Sequence, residues 1–255
     1  MSPHVAWLTV SPIRGTALSR RDEIRLETWG VAENRRFYLV DDRGRRVTLT
    51  RSGELARAAA EYDPDAERLR VDFDGDGTLE GQVELGDPIK TEFYGRRWVS
   101  GRIVLGPWSE AFSRLAGQRL RLVKLDRPGQ AHTDRTAASL VSEESLAELG
   151  RRAGAPVDGR RFRMLIGVEG VERPHAEDDW LGRRFRVGEA LLEGTDFDAR
   201  CMIPTRNPDT GVVDLDTLRL IKSYRGLRDG AIDFGIYAAV LEPGRVRVGD
   251  AVEPV

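Results

Sequence analysis

The chain has 255 residues, 40% of them hydrophobic, enough to bury one large core or two adjoining ones. Forty basic side chains meet 42 acidic ones, and a net charge of −2 gives no electrostatic basis for nucleic acid as the main partner. A single cysteine excludes an intrachain disulfide framework, a cysteine-ligated iron–sulfur cluster and a four-cysteine zinc site, and it points to a reducing cytoplasm.

Taken in chain order, the opening residues carry no apolar stretch behind a basic region, so no signal peptide is expected. No run of 18 apolar residues occurs, so no membrane span is expected either. Residues 35–50 read as two strands around the turn Asp41-Asp42-Arg43-Gly44. Residues 68–85 read as a second hairpin, with Leu69, Val71 and Phe73 alternating before the bend and Leu79 and Val83 after it. Residues 97–106 and 119–125 continue the strand pattern. Three helices are predicted: 109–117 with Ser109 as N-cap, 142–154 with Ser142 as N-cap, and 214–226 with Leu215, Leu218 and Ile221 on one stripe. The segments 184–190 and 245–251 echo each other as alternating strands that run into a Gly-acid turn. The sum is a mostly β fold with few helices. Its best boundary falls near 106–118, which divides a β-rich part, 1–106, from a mixed part, 107–255.

Two features carry chemistry. Cys201 follows Arg200 and precedes a segment crowded with Pro204, Asn207, Pro208, Asp209 and Gly211, which is strong turn chemistry. A thiol on such a loop is accessible, and a neighbouring guanidinium favours the thiolate, the form that attacks or binds soft metals. Arginines at strand ends, among them Arg14, Arg36, Arg51, Arg163 and Arg225, suit an anionic phosphate, since the guanidinium fork matches it bidentately. Two other patterns lead elsewhere. Asp72, Asp74, Asp76 and Gly77 imitate the start of a calcium loop, but Val83 stands where the bidentate glutamate is needed, so a hairpin tip is predicted. His4, His132 and His175 show no zinc spacing, and His132 reads as a surface-loop residue.

The run from Arg200 to Gly211, followed by Lys222-Ser223-Tyr224-Arg225, resembles the signature of the MOSC domain, the family named for the C-terminal part of molybdenum-cofactor sulfurases. Other stretches agree in order. They are Ser11-Pro12-Ile13-Arg14-Gly15, Asn34-Arg35-Arg36-Phe37, Leu49-Thr50-Arg51, Ser142-Glu143-Glu144-Ser145-Leu146 and Arg161-Phe162-Arg163. The resemblance is to the branch that includes the amidoxime-reducing components and covers nearly the whole chain. It implies an N-terminal β-barrel-like module packed on a MOSC β-barrel domain. It implies the molybdenum cofactor (molybdenum on molybdopterin), with Cys201 as the protein ligand to the metal and as the catalytic residue. It also implies cofactor contacts from Arg14, Arg36 and Arg163, and by weaker analogy from Thr50, Arg51, Asp134, Thr136, Arg200 and Tyr237. The implied activity is reduction of N-hydroxylated or N-oxygenated small molecules by a cytoplasmic monomer. Electrons would arrive from a ferredoxin, flavodoxin or cytochrome b5-like protein and its reductase, with no nucleic acid or membrane partner. Two other functions stay open on the residues alone: sulfur transfer through a Cys201 persulfide, and storage or delivery of the cofactor without turnover.

Overall fold

The computed structural model describes residues 2–95, 97–130 and 132–255. Its helices are α1 (Trp108–Ala116), α2 (Glu143–Ala153) and α3 (Thr217–Arg225). The Ser142 side chain accepts from the Ser145 amide at the start of α2, and Gly154 ends it in a left-handed turn. Helix α3 starts at Asp216, whose carboxylate accepts from the Arg219 amide. In α1 the expected cap does not hold. Pro107 stands at that place, and Ser109 sits one residue inside, where its hydroxyl accepts from the Leu122 amide at 3.0 Å. A tertiary partner on strand Arg121–Leu125 has claimed the oxygen that a local cap would have used.

The strand segments form two β bodies. The larger is an eight-stranded sheet in the order Val252–Pro254, Arg184–Val187, Ala190–Ala199, Asp233–Glu242, Ala138–Ser142, Ile166–Glu169, His4–Val10, Ser19–Arg21. Its one parallel pair, Ala138–Ser142 with Ile166–Glu169, is joined across α2, as a parallel crossover requires. The Val5 amide donates to the Asp250 carbonyl and the Val252 amide to the Pro3 carbonyl, so the sheet curls back onto its first strand as a barrel. Val5, Leu8, Leu140, Ile166, Phe185 and Ile236 fill its inside. The second body holds the antiparallel sheet Arg46–Val47, Phe37–Val40, Arg121–Leu125, Arg97–Val104, Leu85–Phe93 and the three-stranded meander Ala59–Asp63, Arg68–Asp72, Thr78–Gln82. Phe37, Leu39, Leu55, Phe73, Phe112 and Leu122 form a core that α1 helps to cover. Asp72 to Gly77 is the meander's turn, closed by the Phe73 amide on the Gly77 carbonyl at 3.0 Å.

The mostly β architecture agrees with the alternation in the sequence. The chain nevertheless crosses between the bodies. Residues 4–21 are built into the C-terminal barrel, and Glu23–Leu26 pairs with Gly244–Arg247. Helix α1 and Arg121–Leu125 stay with the second body, where Arg97–Val104 hydrogen-bonds to Arg121–Leu125 across the 106–118 region. The two bodies are interleaved, and the segments that link them carry the site.

Candidate functional site

After the first strand the chain passes through Ser11 to Arg14 and lies beside Arg35 to Phe37, joined by the amides of Arg14, Arg35 and Phe37. Arg35 has φ 54 and Arg163 has φ 56, left-handed conformations that arginine adopts only when its surroundings hold it there. Those surroundings are visible. Arg163 Nη2 donates to Ser11 Oγ at 2.9 Å, Arg35 Nη2 donates to the Arg163 carbonyl at 3.2 Å, and the Ser11 amide donates to Asn34 Oδ1 at 3.0 Å. Arg14 Nη1 donates to the Tyr94 hydroxyl at 2.8 Å, while Arg14 Nε and Nη2 are buried without a partner. Arg46 stacks on the rings of Phe93 and Tyr94, 4.4 Å from each centroid.

These arginines gather positive charge without cancelling it. Among the described residues no carboxylate comes within 4.0 Å of Arg14, Arg35, Arg46 or Arg163. Burial, reinforced by Arg35 and Arg46, brings the Arg14 guanidinium down to about 10, and burial with Arg35 and Arg14 brings Arg163 to about 9. His132 is held well below its ordinary value by burial and by Arg35, Arg14 and Arg97, so it is neutral at physiological pH. Burial would raise the Tyr94 phenol, but Arg14, Arg35 and Arg46 outweigh it and lower the group to about 8. The four shifts have one explanation, a cleft with positive charge in excess of its counter-charges, and this favours an anion.

Cys201 is exposed at the end of strand Ala190–Ala199. The residues around it are tied down. The Arg200 amide donates to the Ile232 carbonyl at 2.7 Å, and its guanidinium pairs with Asp198 at 2.6 Å and donates to the Phe162 carbonyl at 2.9 Å. Asp198 is buried, which raises its carboxyl. The segment after Cys201 is held by two bidentate pairs, Arg161 with Asp214 and Arg160 with Asp209, each with contacts of 2.7 and 3.0 Å. Gly211, at φ 72, lies against Gly53, where any Cβ would come 1.8 Å from the Gly53 carbonyl oxygen. Arg163 faces the same crevice as Ile203, Arg206 and Pro208, so the cysteine loop and the cation cleft adjoin.

The expected site residues therefore separate. Arg14 and Arg163 come together, with Cys201 on the adjoining loop. Thr136 and Tyr237 line a crevice with Asn34, Arg35 and His132. Arg36 does not join them. Its Nη1 donates to the Leu125 carbonyl at 2.5 Å, and the residue is buried beside Tyr62 and Glu67 in the second body. Its neighbour Arg35 takes the cleft position, because the left-handed turn at Arg35 sends the two side chains to different sides. Arg51 lies 3.7 Å from Asp41, Thr50 bonds to Thr48, and Asp134 is exposed. Arg200 is spent on Asp198 and two carbonyls, so it serves the loop and not an anion. Four residues were not anticipated for the cleft: Arg35, Arg46, Tyr94 and His132. His132 lines it with Asn34, Arg35 and Tyr237, where a surface-loop residue was expected.

A profile for the MOSC domain matches residues 128–253, and one for the MOSC N-terminal beta barrel domain matches residues 2–98. Human mitochondrial amidoxime-reducing component 1 is 27% identical over 97% of this chain and 82% of that protein. The Xenopus laevis protein of the same name is 36% identical over 50% of this chain and 38% of its own length. The YUAD protein of Bacillus subtilis, a solved structure, is 14% identical with a TM-score of 0.47 over 100% of this chain and 96% of that one.

Proposed function

Since the chain belongs to the MOSC domain family and is homologous to the mitochondrial amidoxime-reducing components, we propose that it is a molybdenum-cofactor-dependent reductase of N-hydroxylated small molecules. The observation that carries this reading is the cleft beside Cys201, where Arg14 holds two buried N–H-bearing atoms without a partner among arginines that no carboxylate neutralises. The residues suit the group. Arg14, Arg35 and Arg163 would hold the phosphate, and the exposed Cys201 sulfur would supply the one soft protein ligand.

When bound, the cofactor supplies two-electron removal of oxygen from nitrogen. What the chain supplies is placement. The Asp198–Arg200 pair fixes the backbone on the N-terminal side of Cys201, and the Arg160 and Arg161 pairs fix the loop on the other side. His132, kept neutral by the arginines, adds a polar wall without adding charge. The reduction consumes two electrons and two protons and releases water. With one cysteine the sequence has no ligand set for an iron–sulfur cluster, so the electrons come from a separate ferredoxin, flavodoxin or cytochrome b5-like protein. No helix is long and apolar enough to cross a membrane.

The test is elemental analysis and turnover of protein made in a host that synthesises the cofactor. We expect about one molybdenum per chain, amidoxime reduction with an artificial electron donor, and loss of both metal and turnover in Cys201→Ala with the fold retained. Metal-free protein carrying a Cys201 persulfide would replace this reading with sulfur transfer. Cofactor-loaded protein that no donor can drive would replace it with storage or delivery.

A further inference from the structure

The hairpin of Leu85–Phe93 and Arg97–Val104 ends beside the cation cleft. At its tip Tyr94 has φ 59 and Gly95 φ 67, and the left-handed backbone costs a tyrosine roughly 1–2 kcal/mol. Three contacts hold it there. Its hydroxyl accepts from Arg14 Nη1 at 2.8 Å, its ring lies under Arg46 at 4.4 Å, and Phe93 meets it edge-to-face at 6.2 Å. Arg97 ties the far side of the tip to the His132 carbonyl. The residue as a whole stays 65% exposed, so the cleft engages its hydroxyl and one face of its ring and leaves the rest outside. Among the described residues this oxygen is the sole hydrogen-bond partner of the Arg14 guanidinium, in a cleft where repulsion among Arg14, Arg35 and Arg46 calls for negative charge.

We propose that Tyr94 is an internal competitor for the phosphate seat: its oxygen holds Arg14 in the cofactor-free chain and must release it, with outward movement of the hairpin tip, when a phosphate binds. The inference rests on the reading of Arg14, Arg35 and Arg163 as the phosphate seat. Arg14 keeps a charge-assisted partner in both states, so the exchange leaves no buried cation bare. Tyr94 is then a positioning residue that sets how readily the cofactor loads, and it takes no part in the chemistry on substrate. The exchange also depends on pH. The groups facing the phenol are Arg14 from the segment after the first strand, Arg35 from the turn before Phe37–Val40, and Arg46 from strand Arg46–Val47, with neutral His132 behind them. With the phenol at about 8, a phenolate forms within the working range and binds the arginines more tightly than the phenol does.

The experiment uses full-length protein produced without the cofactor, with inorganic phosphate as the probe, in wild type, Tyr94→Phe and Arg14→Ala. Calorimetry should show Tyr94→Phe binding phosphate more tightly than wild type at pH 7, because wild type must first break the Arg14–Tyr94 hydrogen bond, and by a wider margin at pH 8.5, where more of the phenol is ionised. Tyrosinate absorbance should show a step near pH 8 that is absent from Tyr94→Phe and moves upward with phosphate. The other four tyrosines do not interfere, because burial raises the phenols of Tyr38, Tyr62, Tyr224 and Tyr237. Equal or weaker phosphate binding by Tyr94→Phe, with Arg14→Ala still impaired, overturns the competition alone. No phosphate binding in wild type, or binding that Arg14→Ala leaves unchanged, overturns the phosphate seat and the competition with it.

Discussion

Replacing Arg163 with methionine should move stability and cofactor binding in opposite directions. In the cofactor-free protein this guanidinium is held at about 9 by burial and by the charges of Arg35 and Arg14, and a drop of that size is a penalty of about 5 kcal/mol on the charged form. The residue is half-buried, and solvent screening cuts the penalty to about 2 kcal/mol. Methionine removes the penalty, fits the same stem, and adopts the same left-handed backbone at no greater cost than arginine. It also gives up the hydrogen bond to Ser11, worth about 1 kcal/mol. The net is a cofactor-free protein more stable by about 1 kcal/mol, a rise of roughly 2–4 °C in Tm for a chain of this size. In the loaded protein the variant loses a charge-assisted phosphate contact of about 1.5–3 kcal/mol, so cofactor affinity should fall roughly 10- to 100-fold. Thermal unfolding of the cofactor-free protein and fluorescence of the oxidised pterin released from the loaded one measure the two effects. A variant that is less stable without cofactor, or that retains full pterin content, would refute the claim that Arg163 is held charged for an anion.

Two further perturbations probe the frame of the site. Asp198→Asn leaves Arg200 buried without its counter-charge, which should cost about 3–5 kcal/mol in urea unfolding and speed amide exchange through residues 200–206; unchanged exchange there would show that the pair does not hold the cysteine loop. His175 is buried against Tyr224 and Phe234, and burial, with Arg225, lowers it to about 4. The unfolded chain binds this proton below about pH 6.5 and the folded chain does not, so stability is full above that pH and drains as pH falls toward 4. The loss should be about 3 kcal/mol between pH 7 and 4, and His175→Phe should flatten that part of the urea-midpoint profile; an equally steep profile in the variant would place the acid sensitivity elsewhere.

How much of this was legible beforehand depends on whether the cause is local. Alternation made the strands readable, because period-two burial is written residue by residue. Ser142, Gly117 and Gly154 marked helix ends through bonds that span only a few residues, while the third helix, expected from 214, starts at Thr217 with Asp216 as its cap. The turn chemistry after Cys201 placed that thiol on a loop, and the loop is there. Ser109 shows the limit of this reasoning, since a strand 13 residues away took its hydroxyl.

The cleft itself was decided by tertiary structure. Its parts come from Ser11 and Arg14, Arg35, Arg46, Tyr94, His132 and Arg163, six segments with no periodicity in common. Whether Arg35 or Arg36 faces the anion seat turns on one left-handed residue and on which core claims Phe37, and neither is written in the spacing. Arg200 adjoins the cysteine in sequence, yet a buried carboxylate two residues away takes its charge inward. Sequence by itself determined the kinds of element and the presence of one exposed thiol, because those follow from short-range hydrogen bonding and hydrophobic alternation. Which cations surround that thiol's loop, and which of them stay uncancelled, follows only from strands distant in sequence pairing across two interleaved barrels.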